Sequence, residues 1–360
     1  MSDERFMQAA LALGRRNLGL TAPNPSVGVL IVAGERVVGA GATAPGGRPH
    51  GETLALAQAG EAARGATVYV TLEPCSHHGQ TPPCAEALIA LGVARVVCAM
   101  ADPDPRVAGQ GFARLRAAGI EVVVGPGAEA AARDHRGHVL RVTEGRPSVT
   151  LKIARTADGF AAGDEHDARL AITAETANRR TQTFRSRHDA IMVGIGTASG
   201  DDPLLTVRQN GLDQKPLRVV LDRRLGLALS SRLVSTAADL PTLVLTGAGA
   251  SREAEAALCA RGVTVERVGD GLVEALRALG RRGITRVFSE GGPTIGSALI
   301  LAGLADEVLL FTAERPLGRA GRPALARDAL AALADPVRYA EREGASYGPD
   351  AMRRWERRFA

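Results

Sequence analysis

Short apolar strand runs alternate with helix-length amphipathic segments along the whole of this chain, a rhythm that restricts the fold to the α/β class. Residues 3–18 carry apolar positions at helical spacing, and Val27–Val32 with Arg36–Ala40 read as a hairpin turning at Ala33-Gly34-Glu35. Gly51–Arg64 reads as a helix ended by Gly65, followed by a buried-looking strand at Thr67–Thr71. A helix at Cys84–Leu91, a strand at Arg95–Met100, a helix at Gly109–Ala118 and a strand at Glu121–Val124 complete the first series. Between Gly125 and Pro147 the strand pattern lapses into a polar helix and the turn-rich Thr143-Glu144-Gly145-Arg146-Pro147. That lapse predicts a boundary, with one domain over 1–145 and a second over 146–360. Beyond it, strands at Val149–Ile153, Ala190–Val193, Leu217–Leu221, Thr242–Leu245, Val263–Val268, Arg286–Phe288 and Glu307–Phe311 alternate with helices near 174–187, 251–261, 271–282 and 294–302. A chain of 360 residues is also long for a single core.

Composition narrows the function classes. Aromatic residues are only 3% of the chain, which argues against single-stranded nucleic acid as a ligand, since such binding leans on stacking. The net charge of +5 comes from scattered arginines, densest at Arg353, Arg354, Arg357 and Arg358. They read first as a solvated basic surface and second as a bias toward anionic ligands. The chain shows no apolar run long enough to span a membrane and no charged-then-apolar leader, so a cytoplasmic location is expected. In that compartment the thiols of Cys75 and Cys84 are expected to be ligands rather than a disulfide.

The chemistry-bearing residues cluster in the first domain. His50-Gly51-Glu52 stands at the start of a predicted helix. The strand Thr67–Thr71 runs into Leu72-Glu73-Pro74-Cys75, and a polar loop ends at Pro82-Pro83-Cys84, where the next helix begins. Each residue alone has a plain reading: His50 as a capping or core histidine, Cys75 and Cys84 as small buried hydrophobes. Together with Glu52 and Pro74 they fit one Zn²⁺ per chain, held by one imidazole and two thiolates. Such a site keeps its fourth position open for water, as catalytic zinc sites do, and the positive end of a helix readies a thiol for the metal. Glu52, two residues from a ligand, is placed to carry a proton between that water, a ring nitrogen and a departing amine. His-x-Glu followed by Pro-Cys-x-x-Cys is the signature of zinc deaminases; here Cys75 and Cys84 are farther apart than that signature has them.

The wider spacing is informative. Thr71-Leu72-Glu73-Pro74-Cys75-Ser76-His77-His78-Gly79-Gln80-Thr81-Pro82-Pro83-Cys84 resembles the cysteine motif of the bifunctional riboflavin-biosynthesis deaminase-reductases. Pro23-Asn24-Pro25-Ser26-Val27-Gly28 upstream and Asp102-Pro103-Asp104-Pro105 with Val107-Ala108-Gly109-Gln110-Gly111 downstream keep that family's order. The likeness continues through Leu151-Lys152, Asp158-Gly159, Asp201-Asp202-Pro203-Leu204-Leu205-Thr206-Val207-Arg208 and Glu290-Gly291-Gly292-Pro293-Thr294, and so covers nearly the whole chain. The resemblance implies a cytidine-deaminase-like three-layer α/β/α domain, followed by a dihydrofolate-reductase-like α/β domain that uses NADPH. The implied substrate is a small phosphoribosyl pyrimidine, with neither nucleic acid nor membrane as partner and with a homo-oligomer allowed. It further implies substrate contacts at Asn24, His77, Arg185, Leu205, Arg208 and Glu290, and cofactor contacts at Ala154, Thr197, Asp201, Gly292, Pro293 and Thr294.

Physical reasoning adds to the second set. Gly291-Gly292-Pro293-Thr294 lies between a predicted strand and a predicted helix, where close backbone approach and a helix N-terminus suit a phosphate; as plain turn formers the glycines need no ligand. Arg185 and Arg208 offer guanidinium forks suited to a phosphate dianion, although as bare arginines they would be solvated surface groups. The chain departs from the family at Thr43, where many relatives carry a histidine, at Gly51 in place of alanine, at Gln80 in place of a basic residue, and at Ala168-Arg169-Leu170-Ala171 in place of a Ser-Gln-Trp segment. Two other readings stay open on sequence grounds: a zinc deaminase of a nucleic-acid base with a non-reducing second domain, and a structural zinc site.

Overall fold

The computed structural model describes residues 3–78, 82–163, 170–209, 211 and 214–358. By contact density the chain divides into two compact units, Met1–Arg146 and Pro147–Ala360.

The first unit contains α1 (Asp3–Arg15), β1 (Gly28–Ala33), β2 (Arg36–Ala42), α2 (Gly51–Ala59), β3 (Thr67–Val70), α3 (Cys84–Ala90), β4 (Arg95–Cys98), α4 (Gln110–Ala117), β5 (Glu121–Val124), α5 (Ala128–Asp134) and α6 (Arg136–Thr143). Its sheet runs β2-β1-β3-β4-β5, antiparallel across β2-β1-β3 and parallel across β3-β4-β5. Side chains alternate between the two faces of a strand, and both faces are apolar here. Val29, Ile31, Val68 and Val96 pack with Leu56, Leu88 and Leu115 on one side. Leu30, Val32, Tyr69 and Val97 pack with Met7, Leu11 and Ala131 on the other. Helices therefore cover both faces, which gives the expected α/β/α layering. The first helix stops at Arg15 rather than residue 18, and α2 gives way to a 3₁₀ turn at Gly60–Ala63, where Gly60 takes a φ of 52° that an α-helix cannot hold.

One close approach seats the helix that begins beside His50. A Cβ on Gly41 of β2 would stand 2.3 Å from the Gly51 carbonyl oxygen, so strand and helix can touch only through glycine. Gly51 is equally confined, since a Cβ there would lie 2.7 Å from the Val27 carbonyl oxygen. The family's usual alanine would need a shift at this position.

The second unit contains β6 (Ser148–Arg155), β7 (Phe160–Ala162), α7 (Glu175–Arg185), β8 (Ala190–Gly194), α8 (Ile195–Asp201), β9 (Leu217–Leu221), α9 (Arg232–Ser235), β10 (Thr242–Thr246), α10 (Arg252–Cys259), β11 (Thr264–Arg267), α11 (Leu272–Arg281), β12 (Arg286–Ser289), α12 (Pro293–Leu301), β13 (Glu307–Thr312), β14 (Arg322–Pro323), α13 (Arg327–Ala334), β15 (Tyr339–Tyr347) and β16 (Asp350–Arg357). Its large sheet has the order β11-β10-β9-β8-β12-β6-β13-β16-β15, parallel up to β13 and antiparallel beyond it. The sequence rhythm does not anticipate the closing hairpin β15–β16, the short pair β7–β14 or the helices α8, α9 and α13. The arginines near the C-terminus do not form a loose basic surface either. Arg353 on β16 pairs with Glu341, Arg354 with Glu307 and Glu356, and Arg357 with Asp306.

The order of the sheet says where a ligand can enter. From β8 the chain winds outward through β9, β10 and β11, while β12 returns between β8 and β6. In open parallel sheets such a reversal leaves a crevice beyond the carboxyl ends of the strands. Those ends carry Gly194 leading to Thr197, Ser289 leading to Gly292, and Ala154 near the end of β6. No helix among the described residues is long and apolar enough to cross a membrane.

Candidate metal centre and reductase residues

Three separate stretches bring His50, Cys75 and Cys84 together, with one ligand atom from each inside 4.8 Å of the others. His50 occupies the N-cap position of α2 with extended backbone, and its imidazole makes no capping bond, so the ring is free to serve another partner. Its Nδ1 lies 3.8 Å from Cys75 Sγ and 3.4 Å from Cys84 Sγ. Cys84 is the first residue of α3, and its backbone N–H donates to Cys75 Sγ at 3.3 Å. The Cys84 thiol, with its backbone N–H and the His50 imidazole, outweighs burial and draws the Cys75 thiol down to about 4. The same contact and burial push Cys84 up, while the bond to Cys75 raises His50 against burial. One thiolate beside an imidazole and a second thiol is the donor set that zinc takes up, with displacement of the remaining thiol proton.

Glu52 lies within the first turn of α2 and is 3% exposed. Burial, with the Cys75 thiolate adding to it, pushes its carboxyl up to about 6. A buried carboxyl near neutrality can both accept and return a proton. Among the expected substrate contacts of this unit, Asn24 donates from Nδ2 to the Gly47 carbonyl at 2.8 Å, and the buried Nδ1 of His77 has no hydrogen-bond partner among the described residues. Thr43 is occupied structurally, its Oγ1 accepting from the Val27 N–H at 3.0 Å. Gly79, Gln80 and Thr81 of the cysteine loop lie outside the described residues, as do Ala168 and Arg169.

In the second unit the expected residues fall into two groups. Arg185 is buried rather than solvated: Nε and Nη2 reach the two carboxylate oxygens of Glu290 at 2.5 and 3.0 Å, and Nη1 donates to the Thr206 carbonyl at 2.8 Å. Burial raises the Glu290 pKa, but Arg185, Lys152 and Arg208 together outweigh it and hold the carboxylate ionised. The backbone N–H of Arg208 donates to Gln182 Oε1 at 2.9 Å, and Leu205 is buried with a φ of 49°, a left-handed conformation that costs energy in a leucine. The second group gathers around the turn after β12, where the Gly292 N–H donates to Thr197 Oγ1 at 3.1 Å and Pro293 and Thr294 open α12. Beside it, Gly196 and Gly200 of α8 are exposed, and a Cβ on either would meet nothing within 4 Å. Asp201 closes α8, and Ala154 sits on β6 opposite Phe311 of β13.

Lys152, which also acts on Glu290, is a residue that the sequence patterns do not single out, although a lone charge inside the apolar run Val149–Ile153 is its visible signal.

Comparison with known proteins agrees with this geometry. The family model described as the cytidine and deoxycytidylate deaminase zinc-binding region matches residues 1–100, and the RibD C-terminal domain matches residues 147–342. The riboflavin biosynthesis protein RibD of Escherichia coli is 38% identical over 362 residues, covering 97% of this chain and 98% of the relative. Among solved structures, Acinetobacter baumannii RibD superposes with a TM-score of 0.87 at 36% identity over 99% of both chains. A Thermotoga maritima protein described as a diaminohydroxyphosphoribosylaminopyrimidine deaminase/5-amino-6-(5-phosphoribosylamino)uracil reductase superposes at 0.84 with 31% identity over 98% of both. With a reductase-domain match over more than half of its length and relatives this similar from end to end, the chain belongs to the RibD family of riboflavin-biosynthesis proteins.

Proposed function

We propose that residues 1–145 remove the 2-amino group of 2,5-diamino-6-(5-phosphoribosylamino)pyrimidin-4-one with Glu52 as proton carrier, and that residues 146–360 then reduce the ribosyl group to ribityl. As a RibD protein the chain is a bifunctional deaminase and reductase that acts on a small molecule, with a zinc-binding deaminase domain and an NADPH-using reductase domain. The observation that carries the deaminase half is the convergence of His50, Cys75 and Cys84 beside a buried Glu52.

Zinc, when bound by these three residues, supplies Lewis acidity at a position left open to solvent. The chain's own residues supply the rest. Glu52 takes one proton from the attacking water and hands it to the ring nitrogen, then carries the remaining hydroxyl proton to the leaving amine, so that a C–N bond is exchanged for a C–O bond and ammonia departs. Asn24 and His77 contact the pyrimidine.

In the reductase half NADPH supplies the hydride. Glu290 keeps Arg185 oriented, Arg185 and Arg208 bind the phosphoribosyl group, and the Gly292 turn with Thr197 seats the cofactor. A cytoplasmic location suits two thiol ligands that must stay reduced, and the scarcity of aromatic residues speaks against a nucleic-acid substrate.

The test is Glu52→Gln, which keeps the shape and removes the titrating group. Zinc content is expected to stay at one per chain while ammonia release falls by about 10²- to 10⁴-fold, the usual share of general acid–base catalysis. Full deamination by a zinc-loaded Glu52→Gln enzyme would remove Glu52 from the mechanism.

A further inference from the structure

Helix α6 has no part in the chemistry above, yet it carries a polar face. His138 and Arg141 lie three residues apart on α6 and so share one side of it, and His135 precedes them by three residues at the N-cap. Each reaches a different segment. His135 Nε2 lies 3.0 Å from Thr71 Oγ1, just beyond β3; His138 Nε2 donates to Asp102 Oδ1 at 2.9 Å; Arg141 donates to the Pro23 carbonyl at 3.2 Å. Thr71 leads into the strand end that carries Cys75, and Pro23 adjoins Asn24.

We propose that His138 is a positioning residue of the deaminase half: by holding the Asp102 carboxylate it fixes the Asp102–Arg106 loop, which grips the chain on both sides of the Cys75 ligand. The grip is made of specific bonds. On one side, the Asp102 N–H donates to Glu73 Oε2 at 3.3 Å, and Glu73 also accepts from the N–H groups of Gly109 and Gly111 at 3.0 and 2.9 Å. On the other, Ser76 Oγ donates to the Arg106 carbonyl at 3.3 Å. Asp102 Oδ1 also accepts from the Asp104 N–H at 2.9 Å, so one carboxylate oxygen fixes both the bend of the loop and its link to α6.

His138 and Asp102 are each 7% exposed. At that burial, a polar side chain earns its place through its partners. His138 Nδ1 has no hydrogen-bond partner among the described residues, which leaves the bond to Asp102 as the polar contact that ties this ring to the loop. Without that bond the loop keeps its links to Glu73 and Ser76 but loses its outer anchor. The consequence falls on the segment Cys75-Ser76-His77, and first on His77, whose buried Nδ1 has no hydrogen-bond partner among the described residues.

The inference rests on the deaminase reading given above, and the experiment separates the two. Steady-state ammonia release from the diaminopyrimidine phosphate is measured for the wild type, His138→Phe and His138→Gln, with zinc content and circular dichroism recorded for each. His138→Phe is expected to raise KM about ten-fold, the worth of one buried hydrogen bond to a charged group, with kcat within about two-fold and zinc unchanged. His138→Gln, which keeps an N–H near the same point, is expected to recover most of the loss.

An unchanged KM in His138→Phe, equal losses in the Phe and Gln variants, or losses that follow the zinc content would overturn the inference while leaving the deaminase reading intact. A wild-type enzyme that releases no ammonia would overturn both. Should His138→Phe fail to fold, His138→Asn replaces it, since its amide falls short of Asp102. A higher KM for Asn than for Gln supports the positioning role, and equal values refute it.

Discussion

The two units treat their charged groups in opposite ways. Around His50, Cys75 and Cys84 the donors converge on one point, and the set is completed by a cation: Cys75 is drawn far below an ordinary thiol, and Glu52 is held above an ordinary carboxyl. Around Arg185 and Glu290 the charges complete one another in a bidentate pair, and Lys152 and Arg208 add to the field that keeps Glu290 ionised. The first arrangement is poised for metal-assisted proton transfer. The second is a buried bracket in which Arg185 and Glu290 neutralise each other.

Removing a metal ligand should give the largest effect and the cleanest separation. Cys75→Ser takes away the thiolate on which the donor set depends, and with it several kcal/mol of transition-state stabilisation, about 10³-fold or more in rate. Ammonia release should vanish and zinc content should fall, while NADPH oxidation with the deaminated intermediate as substrate stays near the wild-type rate. Equal loss of both activities would mean that the reductase unit depends on the integrity of the cluster.

The effect of Glu290→Gln should be intermediate and should fall on the other side. Arg185 keeps a hydrogen bond but loses its counter-charge in a buried setting, which costs about 3 kcal/mol of stability in the second unit. The expected result is a lower denaturant midpoint for that unit and a marked loss of reduction, with deamination unaffected. An unchanged midpoint would show that the bracket is not held by its charge pair.

How much of this was legible in the residues follows from the same contrast. Metal chemistry draws on rare types, so His50, Cys75, Cys84 and Glu52 stand out among 360 residues with only four cysteines. The parallel strands were legible because both of their faces are covered, as in Thr242–Thr246, which is buried throughout. The hairpin β15–β16 was not. Its buried positions Met352 and Trp355 are interleaved with arginines whose partners, Glu341, Glu307 and Asp306, are set only by the finished sheet. Arg185 was legible as a binding candidate but not as a buried one, since its carboxylate lies 105 residues away. The His138–Asp102 bond escaped for a like reason: helical spacing shows that α6 has a polar face, and only the packed unit shows what that face meets.

The smallest expected effect tests the turn after β12. Thr197→Val conserves volume and removes the oxygen that accepts the Gly292 N–H. One neutral hydrogen bond contributes about 1 kcal/mol, and the donor left behind borders the open side of α8 rather than a sealed core, so the fold should hold. If the turn seats the cofactor, its loosening should raise KM for NADPH about five-fold, since 1 kcal/mol is about that factor, with kcat of reduction and the deaminase rate little changed. A KM for NADPH equal to that of the wild type would move the cofactor away from this turn. It would then leave the open side of α8 without an assigned ligand, and Gly291-Gly292 with the simpler task of turning the chain from β12 into α12.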